Sequence, residues 1–212
     1  MDQAAYFEQL RRQRKNEILN TARRMILAQG IGSFNIQQLA REMDISTVTL
    51  YKYFKNSEDI MSALQKQILD TYTVPAPELT SVSDPLETFL TFHRAFYRYI
   101  FAHREDVTLL TLFEAYLRNE PDDTHNNSLI TLYPPQTTHV LSDLLAAAQK
   151  NGELPVSPQP AEALSFFSLL NVSLVRQIGL MSDSDFERSR SLLTQQIEQL
   201  LHGMILYLKR DF

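Results

Sequence analysis

The chain has 212 residues, 44% of them hydrophobic, with no cysteine and a formal net charge of −5. That length fits one large domain or a small one joined to a larger, its apolar content excludes disorder as the default, and the missing cysteine excludes disulfides and thiolate metal sites. The first residues lack the apolar core and small-residue cleavage site of a signal peptide. The longest uncharged apolar stretch, residues 163–175, covers 13 residues with Ser and Asn inside it, short of the roughly 20 that span a bilayer. A soluble, cytoplasmic protein is expected. The net charge speaks against nucleic acid only as a sum. Residues 1–60 carry nine Lys/Arg and seven Asp/Glu, a net of +2, while residues 61–212 carry eleven and eighteen, a net of −7. DNA responds to the local positive charge that faces its phosphates.

In chain order, the first helical pattern runs from about residue 12 to 29, where Ile18, Leu19, Ala22, Met25 and Ile26 recur at helical spacing and Gly30 follows as a stop. Residues 2–11 either extend it or form an arm. Residues 31–33 turn, and Phe34 plugs the junction. Asn35 is placed to cap a second helix, with Gln38 three residues on to answer it, and Leu39, Ala40 and Met43 give that helix an apolar face. Asp44 and Ile45 turn the chain, and the Ser46 hydroxyl is placed to cap a third helix. That short helix turns Leu50 and Phe54 inward and presents Thr47, Val48, Thr49, Tyr51, Lys52 and Tyr53. Hydroxyls, a methyl-bearing face, phenols and a lysine on one short helix suit insertion into a DNA groove, as in a helix-turn-helix. Ser57 is expected to cap a fourth helix, with Glu58 and Asp59 near its positive end.

Further along, the prolines in residues 74–77 open a polar loop that lasts to residue 83. Asp84, Pro85 and Glu87 start the next helix, which carries Phe89, His93, Phe96, Tyr97 and Ile100. A break at residues 103–105 separates it from a run over 106–117, and residues 119–127 form a polar loop. Pro134 and Pro135 open a helix that ends at Gly152, three prolines fill residues 154–160, and helices follow over 161–180 and about 184–209. No hairpin signal and no internal repeat appears. The pattern is all-α, with about nine helices.

The segment Ala22…Gly30…Phe34…Ile36…Leu39-Ala40…Ile45-Ser46…Thr49-Leu50-Tyr51…Tyr53-Phe54…Glu58-Asp59-Ile60 resembles the TetR family of bacterial transcriptional regulators. The resemblance covers roughly the first 60 residues. It implies a helix-turn-helix DNA-binding domain over residues 1–56 and an effector-binding and dimerisation domain over 57–212. It also implies a homodimer on a palindromic operator, acting as a repressor that a small molecule releases. An activator or a corepressor-dependent regulator is the alternative within the class. By position, the resemblance implies that Thr47, Val48 and Thr49 face base edges or a thymine methyl. Tyr51 and Tyr53 would donate to phosphates, Lys52 would reach a phosphate or a base, and Asn35 and Gln37 would meet the backbone, with Ser46 a further DNA-binding candidate. Two positions depart from the family pattern. Ser57 stands where a phosphate-binding Lys is usual, with Lys55 as a substitute two residues away, and Asp44 stands where Gly is usual.

The remaining candidates are less determinate. Phe92, Phe96, Tyr97, Phe101, Phe113 and Tyr116 fit a helical core and fit equally the lining of an effector pocket, with His93, Glu114, His139, Asn171 and Gln177 as its polar minority. The effector is expected to be small and apolar or aromatic. The last two long helices are apolar on more than one face, so Phe167, Leu174, Ile178, Ile197, Leu201 and Met204 serve either the subunit core or an intermolecular four-helix bundle. The five histidines, 93, 103, 125, 139 and 202, include no i, i+4 pair, and no metal site or cofactor is expected. A carrier or enzyme is the reading from another class, and no nucleophile–base set or phosphate loop supports it.

Overall fold

The computed structural model describes residues 3–71, 84–117 and 135–210. Among them are nine α-helices and no strand: α1 Gln3–Gln29, α2 Ile36–Glu42, α3 Thr47–Tyr51, α4 Ser57–Thr71, α5 Pro85–Ala102, α6 Arg104–Leu117, α7 Pro135–Lys150, α8 Pro160–Leu180 and α9 Asp183–Leu208. The all-α expectation holds. The first helix begins at Gln3, so the stretch left open between arm and helix is helical, and α6 begins at Arg104 rather than 106. The expected loops at 74–83 and 119–127, together with Pro134 and His125, lie outside the described residues.

The chain divides into two compact units, Met1–Tyr72 with Thr108–Asn126, and Thr73–Val107 with Asn127–Phe212. In the first, α1 packs on α2 and α4, and α2 on α3. Its core takes Ile18, Leu19, Ala22 and Ile26 from α1, Leu39 from α2, Leu50 from α3 and Ile60, Met61 and Leu64 from α4, with Phe34 and Phe54 buried at the junctions. Gly30 ends α1 with φ 82° and donates its N–H to the Ile26 carbonyl at 2.9 Å, the left-handed stop that glycine takes without a Cβ clash.

In the second unit α7 packs on α5 and α8, and α9 on α5 and α8. Phe89, Phe96 and Ile100 of α5 meet a core built with Leu141 and Leu144 of α7, Phe167, Val175 and Ile178 of α8, and Ile197 and Leu201 of α9. At the head of α6 the Arg104 guanidinium bonds the Met181 carbonyl and Asp183 and lies 4.9 Å from the centre of the Phe186 ring. By length and composition α8 could cross a membrane. It packs instead between α7 and α9 with Ala163, Leu164, Phe167, Val175 and Ile178 buried, the arrangement of a core helix.

Candidate nucleic-acid interface

The reader is positioned from below by caps and a turn. Asn35 caps α2 by accepting the Gln38 N–H at 2.9 Å. Gln38 does not complete the expected reciprocal bond: its side-chain oxygen is buried without a hydrogen-bond partner. At the other end of α2 the Ile45 N–H reaches back to the Ala40 carbonyl at 3.0 Å and the Asp44 N–H to Arg41 at 3.2 Å. This pair of bonds is a Schellman motif, whose C′ residue must be left-handed. Asp44 holds that position at φ 51°, alone among the described non-glycine residues. Its departure from the family's usual glycine therefore falls where backbone freedom is needed most.

Ser46 caps α3, its hydroxyl accepting the Thr49 N–H at 3.1 Å and lying 2.9 Å from the Thr49 hydroxyl. The helix is five residues long and ends at Tyr51. Lys52, Tyr53 and Phe54 continue as a turn, with the Tyr53 and Phe54 N–H groups both returning to the Leu50 carbonyl. Leu50 and Phe54 are buried as expected and hold the element down, and the Lys15 ammonium lies 5.2 Å from the Phe54 ring centre. Above them Val48 is 67% exposed and Tyr51 53%, with Lys52, Ser46 and Lys55 also exposed and Thr47, Thr49 and Tyr53 half-buried. Gln37 is exposed at the start of α2. A protruding Val48–Tyr51–Lys52 edge flanked by hydroxyls can offer a methyl to thymine and donors to phosphate at once.

The start of α4 corrects one expectation. Asn56, not Ser57, is the cap: its side-chain oxygen accepts the Asp59 N–H at 2.8 Å, and Asp59 in turn accepts the Lys55 N–H at 2.9 Å. Ser57 is already the first helical residue. This reciprocal clamp fixes the backbone of Lys55, the cation offered as substitute for the family's lysine.

Residues 18–64 match the family model described as bacterial regulatory proteins, tetR family. That segment carries the N-terminal domain of the tetR family. Over 76 residues the chain is 33% identical to the HTH-type transcriptional regulator HbdR of Aromatoleum sp. (strain CIB), a match covering 35% of this chain and 33% of HbdR. The chain thus spans about a third of the curated relative it matches. Two solved structures share the fold over nearly the whole length. TetR from Acinetobacter baumannii AYE superposes with a TM-score of 0.56 at 16% identity, covering 93% of this chain and 98% of that one. A regulator of the TetR/AcrR family from Thermobifida fusca YX-ER1 gives 0.54 at 18% identity, covering 89% and 96%. Residues 18–64 thus carry a tetR-family helix-turn-helix DNA-binding domain.

Beyond that domain, the structure sorts the effector candidates. Phe92, His93, Phe96, Tyr97 and Asn171 are buried in the second unit. The His93 ring lies 4.4 Å from Phe89 and 5.3 Å from Phe92, centre to centre, and its Nδ1–H donates to the Phe89 carbonyl at 2.8 Å. Burial keeps His93 neutral, lowering its pKa from 6.5 to about 4, with the bond to Phe89 opposing. The Tyr97 hydroxyl donates to Asn171, and burial pushes its pKa up. Phe113 is buried in the first unit. Tyr116 and His139 do not join a buried group: both are exposed. Among the described residues no cluster of three His, Asp or Glu is placed to hold a metal.

The dimer-face candidates need a correction. Phe167, Ile178, Ile197, Leu201 and Met204 are buried within one subunit, and Leu174 is half-buried. The five buried ones face the core of their own unit, and of the six only Leu174 keeps surface that a second copy could cover. The apolar side chains that α8 and α9 leave uncovered are Phe166, Leu169 and Leu180, and Leu192 and Leu206.

Proposed function

We propose that this chain is a ligand-responsive transcriptional repressor that acts as a cytoplasmic homodimer on a palindromic operator. The observation that carries the reading is the solvent-facing Val48–Tyr51–Lys52 edge, raised on the buried Leu50 and Phe54. A five-residue reader grips one half-site weakly, and two held about 34–36 Å apart read successive major grooves on one face of the duplex. The exposed Leu169, Leu180, Leu192 and Leu206 of α8 and α9 support a second copy packed there as an intermolecular helix bundle. The buried His93, Tyr97 and Asn171 among phenylalanines support a small, apolar or aromatic effector with a few polar groups. Such an effector releases DNA only if it binds the released conformation more tightly than the DNA-bound one.

The test begins by selecting a duplex from a random-sequence library with the wild-type protein, then titrating binding against salt. Tyr51→Ala and Lys52→Ala should each weaken binding by roughly tenfold, about 1–3 kcal/mol per lost contact. Full affinity in both variants would sink the reader assignment. An effector that raises operator affinity, found by adding small aromatic compounds to the same assay, would replace release with corepression.

A further inference from the structure

We propose that the open groove between the first half of α1 and the end of the reader is a second DNA site, one that holds the sugar-phosphate backbone outside the bases α3 reads. It rests on the operator-binding reading above and extends it to a part of the chain outside the helix-turn-helix. Residues 3–13 of α1 are all exposed, so about 16 Å of the helix, at 1.5 Å per residue, has no burial to hold it. An unsupported helix of that length is marginal in water. This one nevertheless exposes Tyr6 at 52%, Phe7 at 59% and Leu10 at 43%.

The groove, about 680 Å³, is lined on one side by Phe7, Leu10, Arg11 and Arg14 and on the other by Lys52 and Tyr53. The four α1 residues follow the i, i+3, i+4, i+7 spacing of a single helix face. Glu17 is the one acid in the lining, and Arg14 neutralises it at 2.7 Å. Arg11 and Lys52 form no ion pair with any described residue, which leaves two cations facing one another across an open cleft. A DNA backbone matches both halves of that lining. Its phosphate oxygens take the guanidinium, the ammonium and the Tyr53 hydroxyl, and the faces of its deoxyriboses lie against Phe7 and Leu10. Because Lys52 and Tyr53 belong to the reader's own turn, the strand held here is continuous with the one flanking the bases that α3 meets.

The test compares wild type, Arg11→Ala, Arg11→Lys and the reader double variant Thr47→Ala/Val48→Ala, with unchanged helical content verified by circular dichroism. Each is titrated with the duplex selected by wild type and with a duplex of unrelated sequence, across a range of salt. Arg11→Ala should weaken both duplexes alike, roughly tenfold, and lower the salt slope by about one phosphate contact, while Arg11→Lys restores the slope. The reader double variant should instead lose preference for the selected duplex. Wild-type affinity and slope in Arg11→Ala, beside lost preference in the reader variant, would overturn the groove and leave the reader standing. A loss confined to the selected duplex would also overturn it, since backbone contact carries no sequence. A wild-type protein that retains no duplex at low salt would overturn both readings.

Discussion

Asn56 holds the first turn of α4 through the Asp59 N–H, and Ser57, one position on, is inside the helix where its hydroxyl has no orphan donor to serve. Asn56→Ala should therefore lower stability by about 1 kcal/mol, read as a shift of the denaturant midpoint, while Ser57→Ala changes it by a few tenths. A larger effect at Ser57 would reverse the assignment. The same residue-scale logic governs Thr49. Its hydroxyl lies within hydrogen-bonding distance of the one that caps the reader, so of the three β-branched residues Val48 is the freest to touch a base, at 67% exposed.

At the scale of elements, α8 and α9 each divide their apolar side chains between two tasks. Phe167, Val175 and Ile178 with Ile197, Leu201 and Met204 close the subunit core, which leaves Leu169 and Leu206 more than half exposed on the same two helices. Leu169→Glu/Leu206→Glu should convert the proposed dimer to a folded monomer by sedimentation. Operator affinity should fall by about a hundredfold or more as two half-sites are no longer held together. A variant that stays dimeric would move the interface elsewhere. The helices themselves were legible in sequence because Gly30, Asp84-Pro85 and Gly152 punctuate strong apolar periodicities. Their faces were less so, since two apolar stripes on one helix look alike until a neighbour covers one of them. That is why the six residues expected at the dimer face were core or partly covered. The first half of α1 stayed open between helix and arm for the opposite reason: its stripe of Phe7, Leu10, Arg11 and Arg14 mixes apolar and charged residues, so no hydrophobic period marks it. Asn56 was passed over because two capping residues stand side by side, and only the backbone says which one lies outside the helix.

For the molecule as a whole, the buried His93 makes acid a stress. The unfolded chain takes up a proton as pH falls through about 6.5, while the folded protein resists until about 4. Its contribution is thus intact above pH 6.5 and lost progressively down to pH 4, about 3 kcal/mol across that window. Denaturant unfolding at pH 7 and pH 4.5 should show wild type losing stability that His93→Gln does not lose, and parallel losses would place the acid-sensitive group elsewhere. Operator grip has a comparable internal limit in the left-handed Asp44. A carboxylate in that turn sets both backbone strain and negative charge two residues before the reader's cap, in a place glycine would fill with neither. Asp44→Gly should therefore tighten the proposed operator binding. On the proposed reading, every gain in DNA affinity raises by the same factor the effector concentration needed for release. The residue that weakens the hold thereby lowers the dose at which the switch opens.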